Sequence, residues 1–109
     1  MPDAALIYLS LGSNLGNRAA SLDSAVAALP TAGIQVLRVS SFYETEPVDF
    51  LAQPWFLNCV VETQTSLSPQ QLLDALQGIA REIGPEKQVQ GGPRFIDLDI
   101  LLHGTTVIR

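Results

Sequence analysis

Between Phe95 and Leu102 apolar and acidic residues take turns: Ile96, Asp97, Leu98, Asp99, Ile100. Strand side chains alternate faces with a period of two. Ile96, Leu98, Ile100 and Leu102 are therefore expected on one face, against helices, with Asp97 and Asp99 on the other. A strand of this kind demands a sheet that buries one face and leaves the other open.

The rest of the chain supplies partners for that strand. Ala4–Leu11 reads as a buried strand ending at Gly12. Ser13 and Asn14 are placed to cap a helix running to about Leu29, where Pro30 stops it and Gly33 turns the chain. Ile34–Tyr43 and Phe56–Thr65 read as further strands, separated by the loop Glu44–Pro54. Ser68, with Pro69 in the first helical position, opens a second helix carrying Leu72, Leu73, Leu76, Ile79 and Ile83 on a stripe, and Gly84-Pro85 closes it. The loop Glu86–Pro93 leads to the alternating strand, and His103-Gly104 reads as a surface turn. The order β-α-β-β-α-β predicts an α+β, ferredoxin-like fold: one antiparallel sheet with two helices on one face. The length of 109 residues fits a single domain over residues 1–109.

Composition narrows the function. Eleven Asp and Glu against six scattered Lys and Arg give a net charge of −5, which disfavours nucleic acid and anionic membranes as partners. The single Cys59 lies in an apolar run and reads as core; it allows no disulfide framework. Met1-Pro2-Asp3 lacks the basic start of a signal peptide and no apolar run reaches the ~20 residues of a membrane span, so the expected compartment is the cytoplasm. Thr105–Ile108 reads as the start of a further strand, whose unpaired edge a second copy could complete as a homodimer.

Chemistry concentrates in three places. Asp97 and Asp99 sit about 6–7 Å apart along one strand face, where they repel each other unless a cation intervenes. Two Mg²⁺ ions bridging a polyphosphate fit such a pair, and Arg94 at the strand's mouth could grip phosphate. A solvated amphipathic strand is the plainer alternative. Asn58, inside an apolar strand, needs hydrogen-bond partners; it could read a heterocycle, with Phe56 stacking from the same face, or be a satisfied structural residue. The junction Leu11–Asn17 could meet an anion with its N–H groups or simply cap a helix.

Four segments in order, Leu11-Gly12-Ser13-Asn14-Leu15-Gly16, Ser41-Phe42-Tyr43-Glu44-Thr45-Glu46-Pro47, Gln53-Pro54-Trp55-Phe56-Leu57-Asn58 and Gly92-Pro93-Arg94 with Asp97-Leu98-Asp99-Ile100, resemble the 6-hydroxymethyl-7,8-dihydropterin pyrophosphokinase family. The resemblance implies Mg-dependent transfer of pyrophosphate from ATP to the pterin's hydroxymethyl oxygen, in folate biosynthesis. It implies that Asp97 and Asp99 hold two Mg²⁺ ions and that Arg94 contacts phosphate. Thr45, Glu46, Val48, Phe56 and Asn58 would line the pterin pocket, and Gln77 and Lys87 would lie by the nucleotide. The loops Glu44–Pro54 and Glu86–Gly92 would close over ATP.

The chain departs from the family pattern at Lys87, the one cation where the family carries several arginines, and at Ala80, where a Glu is common. The family also continues past the equivalent of Arg109 with further ATP- and pterin-contacting residues. A short relative that binds pterin or a partner chain without turnover is therefore the alternative function.

Overall fold

The computed structural model describes residues 4–47, 52–84 and 94–103. Strand β1 (Ala5–Ser13) is followed by helix α1 (Arg18–Ala28), a 3₁₀ turn (Pro30–Ala32), β2 (Gln35–Val39), β3 (Tyr43–Thr45), β4 (Phe56–Thr65), helix α2 (Pro69–Ile83) and β5 (Asp97–His103). The sheet runs β2-β4-β1-β5, with β3 also on β4, and every pairing is antiparallel. That is the ferredoxin-like arrangement expected from the element order.

One face of the sheet makes the core. Ile7, Leu9 and Leu11 of β1 and Cys59 and Val61 of β4 are buried against Leu22, Ala25 and Leu29 from α1 and its end. Leu72, Leu76 and Ile79 of α2 complete the cluster, while Leu73 flanks the stripe and stays exposed. Burial pushes the Cys59 thiol up, with a smaller contribution from Asp23, as suits an inert core cysteine. Ser68 and Gln71 form a reciprocal capping box: Ser68 Oγ accepts from the Gln71 amide at 3.2 Å, and Gln71 Oε1 accepts from the Ser68 amide at 2.9 Å. None of the helices among the described residues is long and apolar enough to cross a membrane.

The structure corrects four local expectations. β1 runs on through Ser13, so Ser13 and Asn14 do not cap α1; Asn17 does, its Oδ1 accepting from the Ala20 amide at 3.1 Å. The strand expected over Ile34–Tyr43 is two strands: β2 ends at Val39, with a register shift on β4 between Val36 and Arg38, and β3 forms its own short ladder from Tyr43 to Thr45. The alternation of β5 holds only to Ile100: the register on β1 shifts there, leaving Leu101 between Cα partners and exposed. His103 is the last residue of β5, opposite Ile7, rather than part of a turn. The expected strand Thr105–Ile108, the edge it would offer to a second copy and the loop Glu86–Pro93 lie outside the described residues.

Ser68→Ala removes one partner of the capping box and is expected to cost about 1 kcal/mol of stability. A urea titration checks this as a lower midpoint with an unchanged slope.

Candidate functional site

The open face of the sheet gathers its polar residues in rows. Residues opposite each other on neighbouring strands share a face. Asn58 of β4, Gly12 of β1 and Asp97 of β5 form one row, and Tyr43 of β3 stands opposite Asn58. Val60, Ser10 and Asp99 form the next. A cavity of about 190 Å³ lies over these rows, lined by Thr45, Glu46, Phe56, Asn58, Asp97 and Asp99. Ser10, Gly12 and Pro47 line it as well, and sequence reasoning did not single them out. The signal for Gly12 was available, because an isolated glycine within a strand marks a close approach. Three larger hollows, of about 490, 480 and 270 Å³, lie at the far end of the sheet, between the helices and beside Glu62 on the open face. None of the three is lined by a carboxylate pair; the candidate site residues gather in the smaller cavity.

Asn58 is half satisfied. Its Nδ2 donates to Thr45 Oγ1 at 2.7 Å and to the Tyr43 and Phe56 carbonyls at 3.3 and 3.5 Å. Its Oδ1 accepts nothing among the described residues, which leaves an acceptor turned toward the cavity.

Asn14 holds the surrounding segments together. Its buried side chain donates from Nδ2 to Gln53 Oε1 at 2.6 Å and to the Pro54 carbonyl at 3.0 Å. Its Oδ1 accepts from the Arg94 amide at 2.8 Å, and its own amide donates to the Arg94 carbonyl at 3.1 Å. One side chain thus ties the end of β1 to the approach to β4 and to the approach to β5. Arg18 adds a second tie, donating to Glu44 Oε2 at 2.7 Å and to the Trp55 carbonyl at 3.0 Å.

The electrostatics single out the aspartates. Arg94 Nη1 pairs with Asp97 Oδ1. Asp99 has no such partner among the described residues: loss of solvent first and the charge of Asp97 second push its carboxyl above the ordinary value, with Arg94 opposing. Glu62, farther along the same open face, is the contrast. Arg38 Nε at 2.6 Å and the Tyr8 hydroxyl at 2.8 Å hold its carboxyl below the usual range. Asp97 and Asp99 together therefore carry one negative charge more than the single guanidinium of Arg94 meets. Among the described residues no three His, Cys, Asp or Glu side chains cluster as a metal cage. Two neighbouring carboxylates on one strand face could hold Mg²⁺, which takes one or two from a protein and the rest from phosphates and water.

Gln77 is exposed on α2, on the other side of the sheet, and does not line the cavity. Val48 and Lys87 lie outside the described residues.

The family model described as 7,8-dihydro-6-hydroxymethylpterin-pyrophosphokinase matches residues 8–108. The chain is 49% identical over 98 residues to a 2-amino-4-hydroxy-6-hydroxymethyldihydropteridine pyrophosphokinase of Bacillus subtilis, covering 89% of this chain and 59% of the relative. It is 47% identical over 102 residues to the protein of the same name from Porphyromonas gingivalis, covering 91% and 69%. A folic acid synthesis protein of Pneumocystis carinii is 47% identical over 107 residues, 98% of this chain and 14% of that protein.

Two outcomes test the geometry. Asn14→Ala removes three side-chain hydrogen bonds, one buried and two part-buried, and is expected to cost about 2–4 kcal/mol in chemical denaturation. Asp99→Asn is expected to raise the melting temperature at pH 7. The folded carboxyl titrates above its ordinary 3.8, so its ionisation opposes folding as pH rises through that window. The gain from the amide is therefore full above the raised value and disappears below about pH 3.8, which melting curves across that range check.

Proposed function

The chain belongs to the 7,8-dihydro-6-hydroxymethylpterin-pyrophosphokinase family, and on that premise we propose that it transfers pyrophosphate from ATP to 6-hydroxymethyl-7,8-dihydropterin, a step of folate synthesis. The observation that carries this reading is one cavity joining a heterocycle-reading side, Asn58 with Phe56 and Thr45, to a carboxylate side, Asp97 with Asp99. At about 190 Å³ it is smaller than the roughly 300–1,000 Å³ of pockets for drug-sized ligands, which suits a single small ring system.

In this reading the Asn58 Oδ1 accepts from an N–H of the pterin, while Nδ2 keeps its bond to Thr45. Phe56 offers its ring to the heterocycle, and Glu46 closes the cavity's rim. The hydroxymethyl oxygen then lies toward the aspartates. It attacks the β-phosphorus of ATP, its proton passes to water, and AMP leaves with the electrons of the broken bond between the β-phosphorus and the oxygen bridging it to the α-phosphate. Asp97 and Asp99 would hold two Mg²⁺ ions, which when bound neutralise charge on the phosphate oxygens. Arg94 is positioned to exchange Asp97 for a phosphate oxygen, so its pairing in the free protein keeps the guanidinium aligned. Positioning and charge neutralisation account for most of the catalysis, since phosphoryl transfer asks for little covalent help. The cytoplasm is the proposed place of action.

A coupled assay for AMP, with ATP, Mg²⁺ and the hydroxymethyl-dihydropterin, is expected to show turnover; pterin binding without Mg-ATP binding would instead identify a non-catalytic binding module. Asp97→Ala is expected to lower kcat/KM about 10³-fold with the fold retained. Asn58→Ala is expected to raise the pterin KM about tenfold, the worth of one hydrogen bond, and to leave the ATP KM unchanged.

A further inference from the structure

Gly12 stands in the middle of a paired strand, with Cα partners on both sides, Asn58 and Asp97. A glycine there weakens a strand through its backbone freedom. Its backbone does not call for glycine either: among the described residues only Gly16 and Gly33 have positive φ. The requirement comes from space. A methyl built on Gly12 would stand 2.8 Å from Asn58 Oδ1 and 3.4 Å from Phe56 Cδ1, the first well inside contact distance. Asn58 is not free to swing away, because its Nδ2 is held by Thr45 Oγ1 at 2.7 Å.

We infer that Gly12 is a positioning residue for substrate selection: its bare backbone is the seat on which the Asn58 amide lies, and this aims Oδ1 at a flat heterocycle bearing an N–H donor. The inference rests on the pterin reading of the cavity. Any side chain at position 12 lifts the amide, breaks the Thr45 bond and raises the cavity floor beside the ring of Phe56. The same geometry explains why the carbonyl, not the amide nitrogen, is the group presented.

The test titrates 6-hydroxymethylpterin, followed by its fluorescence, into the purified chain and its Gly12→Ala, Asn58→Ala and doubly substituted variants. Gly12→Ala is expected to weaken binding about tenfold or more, while the melting temperature changes little, because alanine's advantage over glycine in a strand offsets the lost Thr45 bond. In the Asn58→Ala background the same change is expected to alter binding by less than about twofold, since the group it displaces is gone. Equal weakening in both backgrounds, or binding within twofold of the parent in Gly12→Ala, overturns the inference. If Gly12→Ala fails to fold but the double variant folds, the contact with Asn58 is upheld; if both fail, Gly12 is a structural residue and the inference falls. Should the parent chain not bind the pterin at all, the functional reading fails separately. The side-chain amide resonances of Asn58 in a ¹⁵N–¹H spectrum then decide: they move in Gly12→Ala if the seat is real and stay in place if it is not.

Discussion

A single buried amide organises this molecule. Asn14 lies at the end of the central strand, with nowhere to find water, so each of its hydrogen-bonding groups must be met by protein. The partners come from Gln53 and Pro54 on one side and Arg94 on the other, 39 to 80 residues away along the chain. Two residues beyond Pro54 the chain becomes β4 at Phe56, and three residues beyond Arg94 it becomes β5 at Asp97. Satisfying one side chain therefore sets where both walls of the cavity begin. Buried polar groups of this type are costly when half satisfied, which makes the arrangement close to all-or-none.

The sheet divides labour between its faces. The inner face is aliphatic and held by area and packing against two helices. The outer face carries charge and hydrogen-bonding groups, and they are treated in two ways. Glu62 is tied to Arg38 and Tyr8 and has no unmet demand. Asp97 and Asp99 share one guanidinium between two carboxylates, and Asp99 is left with a carboxyl that resists ionisation. The difference separates an acid whose charge is met within the fold from a pair left with excess negative charge.

Local chemistry was legible in the sequence where it depends on near neighbours. The Ser68-Pro69 start of α2, the apolar centre of β4 and the shared face of Asp97 and Asp99 all follow from spacings of one to four residues. Asn58 and Phe56 were placed on one face by the same rule. What stayed hidden depends on distant partners. Asn14 looks like a cap from its position before a helix, and only Arg94 and Gln53 reveal its role. The shifts at Leu101 and between Val36 and Arg38 arise from how twisted strands meet, which alternation in one strand does not encode. Gln77 was assigned through resemblance alone, and no geometry of the free chain brings it to the cavity.

Sheet order also sets a sequence of events in time. The cavity's heterocycle wall is complete in the chain at Asn58, whereas the carboxylates arrive with β5, the strand that docks on the opposite edge of β1. About 40 residues separate them, or about 2–8 s of synthesis at roughly 5–20 residues per second. Through that interval Asn14 lacks its Arg94 partner, so the wall has its residues but not the tie that sets where it begins. Cavity residues made early in synthesis therefore wait for β5 before the hollow they line exists.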